Sequence, residues 1–240
     1  MIDKFGLFKG TLLYFKIKTN RLSGIKIPGI SHPFSLRKNS SDTAVFDQVF
    51  LRDDYHINLS FTPSVIIDAG ANTGLFTIFM KSRFPEAKFI CIEPDEENCV
   101  MLKEHVAAYS DVTVIHAGLW SSDTKLKVVD KYQMGKSALT VEEDKQYGNT
   151  TGISIDTLMQ NYSIDKIDIL KIDIETSETE LFSKNYERWL PKIRMIIIEL
   201  HDFLKPGCSK PFFEAIQKVY GNYSYKVYKE NTIIENMDLL

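Results

Sequence analysis

The passage from Val65-Ile66-Ile67 into Asp68-Ala69-Gly70-Ala71-Asn72-Thr73-Gly74 constrains the fold more than any other feature of the chain. Three consecutive β-branched residues with no polar alternation suit a strand buried on both faces, and such strands belong to parallel sheets covered by helices. The glycines provide the turn out of that strand. A rhythm follows. Leu75 to Arg83 reads as a helix that stops before Pro85. Lys88-Phe89-Ile90-Cys91-Ile92 reads as a second strand. Asp95 to Ala107 is a helix entered through Pro94, and Val112-Thr113-Val114-Ile115 is a third strand. Strand, helix, strand, helix, strand with short links predicts a parallel sheet.

The rhythm returns after residue 155. Asp156 to Tyr162, Ser177 to Ser183 and Pro211 to Tyr220 have helical patterns. Ile167 to Ile172 and Arg194 to Leu200 read as strands, and Tyr223 to Tyr228 with Thr232 to Glu235 reads as a closing hairpin. Between the two halves, Leu126 to Val129 is a short strand, and Gln133 to Asn149 reads as a polar loop. Loops of that length are uncommon in compact domains and often functional. The prediction is an α/β, Rossmann-like fold: a seven-stranded, mostly parallel sheet, helices on both faces, and a C-terminal antiparallel hairpin.

The first 60 residues have another character. They are turn-rich (Pro28-Gly29, His32-Pro33, Asn39-Ser40-Ser41) and end in a helical stretch that puts Val45, Phe46, Val49 and Phe50 on one face, with Asp42 placed to cap it. This predicts an N-terminal extension, 1–60, packed on a main domain, 61–240. Lysines recur through Met1 to Lys18. A segment packed on the domain is preferred to an interfacial amphipathic helix, and no apolar stretch is long enough for a signal or a membrane span.

In a doubly wound sheet, ligands bind beyond the carboxyl ends of the strands. Gly70 permits close approach of backbone to ligand, Asn72 tolerates left-handed geometry, and Gly74 brings the next helix close. A dinucleotide fingerprint needs glycines at 70, 72 and 75, but Asn72 and Leu75 stand there, so the loop suits a nucleoside without a pyrophosphate. Glu93, at the end of the second strand, can accept both ribose hydroxyl hydrogens. The formal charge of −3 gives no electrostatic footprint for nucleic acid. The three cysteines form no CxxC pair, which argues against a disulfide framework or structural zinc and suits a cytoplasmic setting.

Asp68 to Gly74, Ile92-Glu93-Pro94, Ile155-Asp156-Thr157-Leu158, Lys171-Ile172-Asp173-Ile174-Glu175 and Glu199-Leu200-His201 together resemble the FkbM family of methyltransferases, over roughly residues 64–202. Arg37, Asp42, Phe46, Phe50 and Tyr55 resemble the family's lead-in segment. The resemblance implies a class I methyltransferase fold with S-adenosylmethionine (SAM) as methyl donor. It also implies O-methylation, often of sugar or polyketide hydroxyls. It implies a donor site built from Asp68, Gly70, Asn72, Thr73, Gly74, Glu93, Pro94, Ala117, Gly118 and Asp173, with Asp173 near both the methionine part of SAM and the acceptor. One position departs: Thr176 stands where the family has glycine.

Methyl transfer is an in-line displacement, and a hydroxyl acceptor also needs a base. Lys171, Asp173 and Glu175 alternate with Ile172 and Ile174, so period two puts the three charges on one side of the strand end. Asp173, Glu175 and His201 are the catalytic candidates, with His201 as general base because imidazole titrates in the useful range. Lys171, Glu178, Glu199 and Arg37 are candidates for the acceptor. The same acidic groups with His201 could instead meet on a divalent metal, but a metal-free site is preferred. A small-molecule or glycan acceptor is expected. A SAM-binding module without transferase activity and a nicotinamide-dependent oxidoreductase are the alternatives.

Overall fold

The computed structural model describes residues 1–20, 22–133 and 139–239. Two N-terminal helices, α1 (Ile2–Phe5) and α2 (Leu7–Lys18), precede α3 (Asp42–Phe46), which continues as a π turn over Asp47–Leu51. The alternating part follows: β1 (Val65–Ala69), α4 (Leu75–Arg83), β2 (Lys88–Glu93), α5 (Glu96–Val106) and β3 (Val112–His116). Next come β4 (Gly118–Leu119), β5 (Thr124–Val129), β6 (Thr140–Glu143), β7 (Thr150–Ile153) and α6 (Ile155–Asn161). The chain ends with β8 (Ile167–Ile172), α7 (Glu178–Leu181), β9 (Ile193–Glu199), α8 (Lys210–Val219), β10 (Tyr223–Tyr228) and β11 (Asn231–Asn236).

Seven strands form one sheet in the order β10-β11-β9-β8-β1-β2-β3. The five from β9 to β3 are parallel, and β11 runs antiparallel to both β9 and β10. This is the class I methyltransferase architecture. Alternation within each apolar run explains the two layers of helix. Ile67, Ile90, Leu170 and Ile196 face one way and pack with Leu158, Leu181, Phe212 and Ile216 of α6, α7 and α8. Ile66, Phe89, Ile169 and Ile197 face the other way and pack with Leu75 and Ile78 of α4 and Leu102 and Val106 of α5. Burying each such side chain contributes about 1.5–3 kcal/mol, so a sheet apolar on both faces is stable only when both are covered.

The N-terminal residues Leu13, Leu22, Ile25, Phe34, Phe46 and Phe50 belong to that second core. Phe34 stacks on Phe50 with centroids 5.4 Å apart. Ser35 N donates to His105 Nε2 (3.1 Å), and His105 Nδ1 lies 2.6 Å from the carbonyl oxygen of Thr73, so one buried imidazole joins the N-terminal segment to the glycine loop.

Three local expectations differ from the structure. Leu126 to Val129 is a strand, but it belongs to a second, four-stranded sheet in the order β4-β7-β5-β6. Residues 134–138 of the expected Gln133–Asn149 loop lie outside the described residues, and part of the remainder is β6, where Val141 pairs with Val128 and Thr140 with Val129. Asp42 does not cap α3. Ser41 occupies the cap position without a side-chain bond, and Asp42 receives Arg37 N (2.7 Å) and Arg37 Nη2 (2.7 Å).

Candidate active site

From β1 the chain winds to β2 and β3 on one side and later to β8 and β9 on the other. The carboxyl ends of β1 and β8 therefore flank the switch point where such sheets open a crevice. Asp173 N donates to Ala69 O (3.0 Å), carrying the ladder one step past the end of β8. Gly70 turns away with φ 73°, and its N–H and that of Ala71 both donate to Ile92 O. Asn72 takes the left-handed conformation (φ 50°), its side-chain oxygen accepting from Thr73 N. Gly74, at φ 84°, is the N-cap of α4.

Glu93 ties this loop to the next one. Its carboxylate accepts from Asn72 N (2.7 Å) on one oxygen and from Asp95 N (2.9 Å) on the other. Burial pushes its pKa up to about 7 against the pull of those N–H groups. Oε1 also accepts from Asn98 Nδ2 (3.3 Å), so it is Oε2 that keeps a lone pair for a further hydrogen bond.

A pocket of about 500 Å³ opens between the loops, lined by Gly70, Asn72, Glu93, Pro94, Gly118 and Asp173 among others. Four members of the expected donor set stand behind its wall. Asp68 is fully buried, receiving Thr77 Oγ1 (2.7 Å) and lying 3.3 Å from Lys171 Nζ. Thr73 and Ala117 are buried as well, and Gly74 starts the helix. Sequence reasoning missed Asn98, Leu139 and Val141 on this pocket. Leu139 and Val141 fell inside the segment read as a loop, so no strand signal pointed to them.

A second cleft, of about 890 Å³, lies alongside. Val45, Gln48 and Arg52 form one wall, with Lys171, Glu199 and His201 on the other. Phe203, 70% exposed, stands at its edge with its ring 5.7 Å from that of His201. The two spaces share Gly70, Asn72, Asp173 and Glu175, so they meet at the switch point.

The charged groups at this junction are tightly packed. His201 is 1% exposed. Its Nδ1 faces Glu178 Oε1 at 3.0 Å, and its Nε2 faces Glu175 (3.3 Å), Asp173 (3.6 Å) and Glu199 (3.9 Å). Burial alone would depress the imidazole, but the Glu178 hydrogen bond and the surrounding carboxylates prevail and push its pKa up to about 10. Burial, reinforced by Asp173, raises the Glu175 carboxyl to about 8 and that of Glu199 to about 7. Asp173, Glu175 and His201 each offer a ligand atom within 4.8 Å of the others, which is close enough for one divalent cation. An imidazolium does not ligate, so a proton on His201 Nε2 and a metal there exclude each other, while an Nδ1 proton shared with Glu178 is compatible with either.

Not every expected acceptor residue reaches the cleft. Glu178 is fully buried and spends its carboxylate on Ile174 N (3.2 Å), His201 and the Cys208 thiol (3.4 Å). Arg37 is committed to Asp42 and lines neither space. Lys171 borders the cleft but is 3% exposed. It donates to Gly70 O (2.8 Å) and pairs with Asp68 and Asp173. Burial works against its charge, yet the two carboxylates hold its pKa above the ordinary lysine value. Cys91, Cys99 and Cys208 are all free.

The chain is similar to known proteins in sequence and fold. The family model for the methyltransferase FkbM domain matches residues 68–227. Methyltransferase sdnD of Sordaria araneosa is 27% identical over 235 residues, spanning 83% of this chain and 85% of that protein. AMB antimetabolite synthetase AmbE of Pseudomonas aeruginosa is 22% identical over 238 residues, spanning 81% of this chain but only 11% of that much longer protein. Among solved structures, methyltransferase FkbM from Methylobacillus flagellatus KT superimposes with a TM-score of 0.52 at 17% identity. That match covers 79% of this chain and 47% of the other, so this chain spans about half the length of that structure. The region matched by the family model runs from the start of the glycine loop into the closing hairpin, and the chain belongs to the FkbM family of methyltransferases.

Proposed function

We propose that this methyltransferase takes its methyl group from SAM and delivers it to a hydroxyl of a small molecule or sugar. The junction of the two spaces at Gly70, Asn72, Asp173 and Glu175 carries the reading. A donor and an acceptor in adjoining pockets can be held collinear, and such positioning supplies much of the acceleration of a displacement. In the first pocket, Glu93 would accept the ribose hydroxyls, with Pro94 and Gly118 beside the adenosine. Gly70 and Asp173 would border the methionine part. Asp68, Thr73, Gly74 and Ala117 would act from behind by fixing the loop.

In the second cleft, Glu175 suits the role of general base better than His201. A group poised near the working pH transfers protons best, and the carboxyl at about 8 meets that condition while the imidazolium at about 10 does not. His201 would then hold Asp173 and Glu175 in position by charge, with Glu178 behind it. Glu199 would border the acceptor, and Lys171 would steady the glycine loop. The relative named as an antimetabolite synthetase favours a small-molecule acceptor. The first 60 residues, as an extension folded on the domain, would provide the outer wall of that cleft.

The test is calorimetric titration of the protein with S-adenosylhomocysteine, SAM and NADH, followed by capture of labelled methyl from SAM with a cell extract. Binding of the two sulfur ligands with transfer to an alkali-stable ether supports the proposal. NADH binding would point to an oxidoreductase. Donor binding with no transfer to any fraction would leave a cofactor-binding module.

A further inference from the structure

We propose that α2 docks on an anionic lipid surface through its outward face. Along α2, Gly10 and Leu13 are buried and Ile17 half-buried, and these three share the side turned to the domain. Phe8, Leu12 and Phe15 fall at spacings of four and three residues, which places them in one stripe on the opposite side. Phe8 is 85% exposed, and Leu12 and Phe15 are each 56% exposed. Single exposed apolar residues are ordinary, but a contiguous stripe marks an interaction site.

Charge selects the occupant. Lys9 and Lys16 flank the stripe on one side and Lys18 on the other. Residues 1–38 carry eight basic side chains against one acidic, Asp3, in a chain whose formal charge is −3. The whole-chain balance therefore conceals a basic segment around an apolar stripe. Aromatic and leucine side chains between lysines match the boundary between acyl chains and anionic headgroups, where lysine stems lie along the apolar layer and their ammonium groups reach phosphate. A nucleic acid would use the lysines but leave the stripe in water. Twelve residues make a helix of about 18 Å, too short for a hydrocarbon core of about 30 Å, so α2 would lie in the plane of the surface. None of the described helices is long and apolar enough to cross a membrane. Lys4 of α1 pairs with Asp53, the neighbour of Arg52 on the wall of the second cleft.

The experiment is co-sedimentation of the full chain with vesicles of phosphatidylcholine, with and without phosphatidylglycerol, over a range of salt. The expected result is binding to the anionic vesicles that weakens as salt shortens the screening length. Each of Lys9→Gln, Lys16→Gln and Lys18→Gln should lower partitioning about fivefold. Phe8→Ser with Phe15→Ser should abolish it at an unchanged thermal midpoint, since both rings face solvent. If that double variant fails to fold, the lysine series and the salt titration decide. No binding to anionic vesicles, or binding indifferent to all of these changes, overturns the proposal. So does a dimer in sedimentation equilibrium that the double variant disperses, because the stripe would then belong to a second copy.

Discussion

The backbone of Gly70 runs so close to the Asp173 carbonyl that a Cβ on Gly70 would fall inside the van der Waals envelope of that oxygen. Gly70 is also at φ 73°, where other residues are strained by about 1–3 kcal/mol. The obstacle is backbone, which cannot swing aside as a side chain can. Gly70→Ala should therefore separate the β1 and β8 ends and open the junction between the two spaces. We expect SAM affinity to fall by more than tenfold, read by calorimetry, with a measurable loss of stability. Unchanged affinity would remove the loop from the donor site.

Lys171 and Asp68 form a second relationship across the same two strands. Asp68 is fully buried, and its Oδ1 has no hydrogen-bond partner, leaving Lys171 Nζ at 3.3 Å as its compensation. Removing one member of a buried pair leaves an uncompensated charge, which costs about 3–5 kcal/mol. Lys171→Met should lose that much in urea denaturation. Lys184→Met, which removes the exposed partner of Glu180, should change stability by about 1 kcal/mol or less.

These relationships also mark how far the sequence could be read. The main strands were legible because Val65-Ile66-Ile67 and Met195 to Ile198 are apolar at successive positions, which only a doubly covered sheet can bury. Gly70 and Asn72 were legible because few residues accept positive φ. The fates of Glu178 and Arg37 were not. Period two puts Lys171, Asp173 and Glu175 on one side, but β8 ends at Ile172, and the chain then reverses through Glu175 (φ 52°) and Thr176 (φ 75°). That reversal sends Glu178 inward beneath His201, a contact set by tertiary structure. Val45 sits on α3 as its helical period predicts, yet nothing local says that this helix walls a cleft shared with Lys171, Glu199 and His201 from the far end of the chain. The strand at Thr140–Glu143 depends on its pairing with β5 and has too short an apolar pattern to announce itself.

Thr176 gives a prediction of the opposite sign. A β-branched residue at φ 75° is strained, since its Cβ crowds the backbone in left-handed geometry. Glycine removes about 1–3 kcal/mol of strain and restores about 1 kcal/mol of unfolded-chain entropy, so Thr176→Gly should stabilise the fold by about 1 kcal/mol. A raised thermal midpoint with unchanged SAM affinity is the expected result. A lowered midpoint would mean that the Thr176 side chain contributes packing that outweighs the strain.

The charge cluster predicts opposite pH slopes for activity and stability. With Glu175 as base, kcat/KM should climb as pH rises through about 8 and the carboxyl loses its proton, and Glu175→Gln should flatten that profile. Stability should move the other way. Glu175, Glu199 and His201 all hold protons more tightly folded than unfolded, so the folded state binds more protons and stability falls with rising pH. The carboxyl contribution is complete below the ordinary value of 4.5 and is lost as pH passes about 7 to 8. The imidazole contribution is complete below 6.5 and is lost as pH approaches about 10. Thermal midpoints recorded from about pH 6 to about pH 9, a range that brackets the two carboxyl values, should therefore decline while turnover increases. A midpoint that rises over that interval would mean that these groups do not hold their protons more tightly in the folded protein, and the case for Glu175 as base would fall.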